Sequence, residues 1–289
     1  MTDFIKLHQK DFNFKQFIAE ALKEDVGDGD HTSLSTIPKN HSGKMRLLVK
    51  EDGIIAGVEA AKFILKEIDK NFKVKILIKD GAKIKTGDIV LTLEGNTQKM
   101  LIAERLILNI MQRMSGIATK TNYLQTLCKG NKTKVIDTRK TTPGFRFFEK
   151  WAVLIGGGSN HRYGLYDMIL IKDNHVDFAG GIVKAIDAAN SYLKTKKKKI
   201  NIEVETRSID DVKQVLKHGG VKRIMLDNYT PQQTLAAVKL INGKFEIESS
   251  GGITEKNIQS YAKCGVDFIS IGALTHHVKG LDLSLKAIK

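Results

Sequence analysis

Six apolar runs, TKVIDT, DMILIK, INIEVE, VKRIMLD, KFEIES and VDFISIG, alternate with segments of helical periodicity from Gly116 onward. Strand and helix in strict alternation predict a parallel sheet joined by right-handed crossovers. Helix-start signals punctuate the repeat. Ser208 with Asp211 spells a capping box ahead of VKQVLKHG, and Thr230-Pro231 supplies an N-cap followed by proline at the first helical position. About 160 residues are too few for eight βα units, so an incomplete α/β barrel of six or seven strands is expected.

The first half reads as α+β. FKQFIAEALKED puts Phe14, Phe17, Ile18, Ala21 and Leu22 on one helical face, and VEAAKFILKEI repeats the pattern with Ala61, Ile64, Leu65 and Ile68. KMRLLVK, FKVKILI and DIVLTLEG read as strands, with turns at Asp80-Gly81 and Gly87-Asp88. The acidic segment EDVGDGD (24 to 30) reads as a loop, since its oxygen spacing does not fit an EF-hand. A long helix is predicted from Gln98 to Ser115. It carries Arg105 and Arg113 in apolar company, where a guanidinium is normally paired or aimed at a ligand. The expected division is a first domain over residues 1 to 115, a barrel over 116 to 275, and a tail, 276 to 289, rejoining the first domain.

A formal net charge of +15 fits either a nucleic-acid binder or an enzyme that attracts acidic ligands. Its distribution favours the enzyme. Lys194 and Lys196 to Lys199 form one solvated run, and Lys73, Lys75 and Lys79 sit on a strand's outer face. No RNA-binding signature and no basic helix-turn-helix accompanies them. There is no run of about 18 apolar residues, and the start, MTDFIKLHQK, lacks a signal-peptide core, so a cytoplasmic protein without a membrane partner is expected. Cys128 and Cys264 lie outside any C-x-x-C spacing and read as reduced, packed thiols.

In parallel α/β barrels the loops after the strands' carboxyl ends build the active site. The first strand delivers Thr138, Arg139 and Lys140, the second Lys172 and Asp173, the third Glu203 and Glu205, and the fourth Asp227 and Asn228. The last two deliver backbone: SSGGIT (249 to 254), where Thr254 is expected to cap the next helix, and SIGA (270 to 273). Such glycine-rich loops suit a phosphate. Arg139, Arg162 and Lys172 suit carboxylates. Glu205 and Asp227 suit magnesium or the hydroxyls of a sugar. No Walker loop, G-x-G-x-x-G, H-E-x-x-H or G-x-S-x-G is present, which disfavours a kinase, a dinucleotide enzyme, a zinc protease and a serine hydrolase.

The segments EDVGDGDHTS, AERLILNIMQRMSGIAT, DTRKTTPGFR, GGGSNHRYGLYDMILIKDNH, IEVE, IMLDN, ESSGGIT and ISIGALTH resemble, in order and spacing, the quinolinate phosphoribosyltransferase family over nearly the whole chain. The resemblance implies an N-terminal open α/β sandwich, a C-terminal incomplete α/β barrel and a homodimer or multiple of dimers. It implies quinolinate binding by Thr138, Arg139, His161, Arg162 and Lys172, with Arg105 supplied by the partner subunit. It implies phosphoribosyl pyrophosphate binding by Lys140, by Glu205 and Asp227 near ribose and magnesium, and by Ser250, Gly251, Gly252, Ile271, Gly272, Ala273 and His276 around phosphate. One departure is Arg207 in VETRS, where a neutral or acidic residue is the family expectation. The implied reaction is phosphoribosyl transfer to quinolinate with decarboxylation, for which Lys140, Glu205 and Asp227 are the catalytic candidates. A paralogue acting on another acidic aromatic substrate is the alternative, and a nucleic-acid-binding protein the remote one.

Overall fold

In the computed structural model, which describes Phe4, Lys10 and residues 12 to 288, the chain separates into two units. One holds the chain up to Asn122, Thr142–Gly157 and the chain from His277; the other holds Tyr123–Thr141 and Gly158–His276.

The first unit opens with α1 (Phe14–Val26), capped by the Asn13 side chain accepting from Gln16 N, and α2 (His31–Thr36), capped by Asp30 accepting from Ser33 N. The segment EDVGDGD is therefore the last turn of α1, a glycine turn and a helix cap. Next come β1 (Ser42–Val49), β2 (Gly53–Ile54), α3 (Val58–Ile68), β3 (Lys73–Ile76), β4 (Lys83–Ile84) and β5 (Ile89–Asn96). Gly57 offers α3 no capping side chain. Asp80 does that work from the following turn, accepting from Val58 N and Glu59 N. β12 (Leu283–Ala287) returns to pair antiparallel with β1, giving a sheet of order β12-β1-β5-β3; β2 and β4 pair separately.

The helix α4 (Thr97–Leu127) runs for 31 residues, well past the predicted stop at Ser115. A single Gly116 costs only about 1 kcal/mol in a helix, and Ile117, Ala118 and Leu124 bury the continuation. Residues 142 to 157, inside the span predicted for the barrel, cluster instead with the first unit. The reason is aromatic. α5 (Arg146–Ile155) carries Phe147, Phe148 and Trp151, all buried, and Phe12 stacks on Phe147 at 4.5 Å while Phe14 meets both phenylalanines edge-on.

The second unit is the alternating α/β part: β6 (Lys134–Ile136), β7 (Met168–Ile171), α6 (Asp173–Ala179), α7 (Ile182–Lys196), β8 (Asn201–Thr206), α8 (Ile209–His218), β9 (Arg223–Asp227), α9 (Pro231–Ile241), β10 (Glu246–Ser250), α10 (Ile258–Lys263), β11 (Phe268–Ser270) and α11 (Ala273–His276). Its six strands form one parallel sheet of order β6-β11-β10-β9-β8-β7, a barrel left open between β6 and β7. Both predicted caps are formed, Ser208 with Asp211 and Thr230 with Gln233. Thr254 does not cap α10. Asn257 holds that position, and its side chain folds back to accept from Thr254 N. One face of the strands, including Val204, Ile224, Leu226, Ile247 and Ile269, is buried with Val212, Val215, Ala237, Ile241 and Ile258 of α8, α9 and α10. The other face points into the barrel. Because side chains alternate along a strand, Glu203 and Glu205, then Arg223, Met225 and Asp227, then Glu246, Glu248 and Ser250, share that interior.

Candidate active site

A cavity of about 720 Å³ opens at the carboxyl ends of the barrel strands. Its wall includes Thr138, Arg139, Lys140, His161, Arg162, Lys172, Glu205, Asp227, Ser250, Gly251, Gly252, Ile271, Gly272, Ala273 and His276. Arg105 is not among them; it stands exposed on α4. Arg113 is a structural cation. Its guanidinium donates to the buried Glu149, which also accepts from Thr142 N and Oγ1.

Arg139 and Arg162 both line the cavity, near enough for one charge to act on the other. Burial first, and then the Arg139 charge, hold the Arg162 guanidinium below an arginine's ordinary pKa. A half-buried guanidinium beside an exposed one of like charge forms a site prepared for a multiply charged anion. Arg162 is held by its own donation to Met168 O at 3.2 Å. Its loop is hung from Asp137, whose carboxylate accepts from His161 N at 2.9 Å and Asn160 Nδ2 at 2.6 Å.

Glu205 and Asp227 share the same wall. Burial raises both carboxyls, and the charge of Asp227 raises Glu205 further. Lys172 Nζ lies 3.9 Å from Glu205 Oε2. Asp227 also accepts from Asn228 Nδ2 at 2.6 Å.

Two glycines of the wall stand close to their neighbours, and at Gly251 the approach demands glycine. Gly251 has φ +88°, and a Cβ there would overlap the Asn228 side chain and stand 2.9 Å from Asn228 N. A Cβ on Gly272 would come within 2.9 Å of His276 Nε2 and 3.1 Å of Lys140 Cδ. Thr275 Oγ1 donates to Lys140 O at 2.7 Å, tying α11 to the loop after β6.

The predicted list missed what lies beneath. Glu203 does not reach the mouth. It is fully buried with Glu248 in the barrel interior, where His161 Nε2 stands 3.2 Å from Glu203 Oε2 and 3.5 Å from Glu248 Oε2. The Arg223 guanidinium closes the group from below, 3.1 Å from Glu248 Oε2 and 3.7 Å from Glu203 Oε2, seated 3.9 Å over the Phe268 ring. Burial, and then the neighbouring Glu203, push the Glu248 carboxyl up to about 8. His161 Nδ1 accepts from Arg162 N at 2.7 Å, which assigns the ring proton to Nε2. His161 lines the cavity with both ring nitrogens turned to protein. The available signal was the alternation itself: charged residues at every second position inside otherwise apolar strands. Leu170, Met225 and Ser270, which also line the cavity, follow the same rule.

A barrel that gathers cations, carboxylates and a glycine cradle around one cavity defines an enzyme for a phosphate-bearing, multiply anionic substrate. The family models for the quinolinate phosphoribosyl transferase N-terminal and C-terminal domains match residues 30–115 and 117–286. The chain is 46% identical over 290 residues to the chloroplastic nicotinate-nucleotide pyrophosphorylase [carboxylating] of Arabidopsis thaliana, covering 95% of this chain and 83% of that one. It is 44% identical to the mitochondrial quinolinate phosphoribosyltransferase [decarboxylating] 2 of Nicotiana glauca, covering 95% and 82%. The solved nicotinate-nucleotide pyrophosphorylase of Francisella tularensis superposes with a TM-score of 0.89 at 39% identity, covering 95% of this chain and 96% of that one. The chain belongs to the quinolinate phosphoribosyltransferase family.

Proposed function

We propose that this enzyme transfers the phosphoribosyl group of phosphoribosyl pyrophosphate to quinolinate, releasing pyrophosphate and carbon dioxide and forming nicotinate mononucleotide, a step of de novo NAD biosynthesis. The observation that carries the reading is that the guanidiniums of Arg139 and Arg162, the carboxyls of Glu205 and Asp227 and the glycines of two strand-end loops line one cavity together.

Arg139, Arg162 and Lys172 hold the two carboxylates of quinolinate, while Thr138 and the His161 ring complete that wall. Ser250, Gly251, Gly252, Ile271, Gly272, Ala273 and His276 enclose the 5′-phosphate, and Lys140 neutralises pyrophosphate. Glu205 and Asp227 grip the ribose hydroxyls and favour positive charge at the anomeric carbon. The pyridine nitrogen's lone pair forms the bond to that carbon as the carbon–oxygen bond to pyrophosphate breaks and its electron pair departs with the leaving group. Alignment of two bound reactants contributes roughly 7 to 11 kcal/mol. The ring nitrogen is now cationic. It stabilises the electron pair left on the adjacent carbon when that carbon's carboxylate leaves as carbon dioxide, and a proton then replaces it.

Glu205 and Asp227, both raised by burial and Glu205 further by the Asp227 charge, suit a divalent cation. Magnesium held by Glu205 and Asp227 would supply charge neutralisation to the pyrophosphate. Arg105 completes the quinolinate site from the partner subunit of a homodimer; its exposure on α4 suits that use. Cytoplasmic residence agrees with the two buried, unpaired cysteines. Among the described residues no helix is long and apolar enough to cross a membrane.

The test supplies purified protein with magnesium, phosphoribosyl pyrophosphate and carboxyl-labelled quinolinate, with nicotinate as a parallel substrate. Quinolinate-dependent release of labelled carbon dioxide with nicotinate mononucleotide is expected. Product from nicotinate alone, or from neither, would overturn the assignment.

A further inference from the structure

The ionic group under the cavity is too costly to be incidental. Two carboxyls, Glu203 and Glu248, have no accessible surface, and withdrawing such groups from water is compensated only by close partners of good geometry. An apolar layer of similar volume would serve the fold as well or better. The group must therefore do something an apolar layer cannot.

Its connections lead upward in one direction. Arg223 reaches Glu248 and Glu203; these two face His161 Nε2; His161 Nδ1 receives the backbone N–H of Arg162. Arg162 is a cation of the cavity wall. We infer that Arg223, Glu203 and Glu248 are positioning residues for the acidic substrate, fixing the His161 ring and through it the place of the Arg162 guanidinium. His161, Glu203 and Glu248 also offer donor atoms within 4.8 Å of one another, a spacing a metal ion could bridge. Arg223 supplies the positive charge there instead, anchored from behind by Glu246 at 3.2 Å and by the Phe268 ring. A fork that engages several acids at once has the geometry for locking an orientation, which a lysine's single ammonium lacks.

The inference rests on the proposed reaction, and the two fail differently. If wild-type protein makes no product from quinolinate, the function is wrong. If wild type is active and the variants below keep its KM, the positioning role is wrong.

The decisive variant is the apolar pair Arg223→Met/Glu248→Leu, which removes one cation and one acid together. Glu203 keeps His161 Nε2 at 3.2 Å but loses Arg223, so the unfolding temperature is expected to fall by several degrees with the variant still folded. The KM for quinolinate should rise about tenfold or more, with the KM for phosphoribosyl pyrophosphate changed by less than about threefold. Glu248→Gln, which keeps an acceptor of the same shape, should restore most of the quinolinate KM. A folded pair with an unchanged quinolinate KM, or equal losses for both substrates, overturns the role. If the pair does not fold, Arg223→Lys decides: it keeps the charge and loses the fork, so the same selective rise supports positioning and an unchanged KM refutes it.

Discussion

Replacing Gly251 by alanine tests how tightly the glycine-rich wall of the cavity is built. The residue follows β10 with φ +88°, a region that costs an L side chain about 1 kcal/mol. The added methyl would overlap Asn228 Oδ1 and stand 2.9 Å from Asn228 N, an approach real Cβ atoms essentially never show. Asn228 cannot simply swing away. Its N–H donates to Ser250 O at 2.9 Å and its side chain donates to Asp227 at 2.6 Å. Overpacking against such a neighbour adds about 1 to 3 kcal/mol, so the total penalty is roughly 2 to 4 kcal/mol. Either the strain remains and the unfolding temperature falls by several degrees, or the loop shifts by about 1 Å and transfer slows by up to about a hundredfold. The assay is thermal unfolding together with steady-state kinetics in both substrates, read chiefly in the KM for phosphoribosyl pyrophosphate. Gly252→Ala is the control, since a Cβ there meets nothing within 4 Å and only the left-handed backbone at φ +60° resists it. If Gly251→Ala matches wild type in both readings, or if Gly252→Ala is the worse of the two, the close-approach reasoning is refuted.

Glu149→Ala should destabilise the protein by about 3 to 5 kcal/mol, roughly ten degrees in the unfolding temperature, because the Arg113 guanidinium, which keeps Val278 O, loses its carboxylate and the Thr142 donors lose their acceptor; a loss below about 1 kcal/mol would show the pair to be dispensable. Glu205 has a folded pKa above its ordinary 4.5, so its ionisation opposes folding: the cost is absent below the unfolded value and grows as pH rises through the folded one. Glu205→Gln should accordingly gain unfolding temperature over wild type at about pH 8 and lose that advantage at about pH 4, and a constant difference across that range would contradict the raised carboxyl. Mixing inactive Arg105→Ala and Lys172→Ala subunits should give heterodimers with partial activity; no recovery despite demonstrated subunit exchange would remove Arg105 from a shared site.

Much of the site was legible because each β-strand ends where its apolar run ends. Arg139, Lys172, Glu205, Asp227 and Gly251 could be read off those ends, and the structure gathers them around one cavity. The caps at Ser208 and Thr230 were equally local, being satisfied within three residues. Arg207 ends as a surface ion pair with Asp177 at 2.8 Å.

What the sequence alone determined about this protein is what short-range periodicity sets, six strands and the residues at their mouths, together with the family that its motif segments resemble. Tertiary structure alone decided the long-range partners. Gly116 was free to end a helix until Ile117 and Ala118 found burial, and the FFEKW segment joined the first unit only because Phe12 and Phe14 offered it rings. Glu203 and Glu205 are two positions apart on one strand face, yet one lies sealed against Arg223 and His161 and the other lines the cavity. Their depth in the barrel depends on the register of neighbouring strands, Glu203 opposite Arg223 and Glu205 opposite Met225, and register is a property of paired strands that no single strand carries.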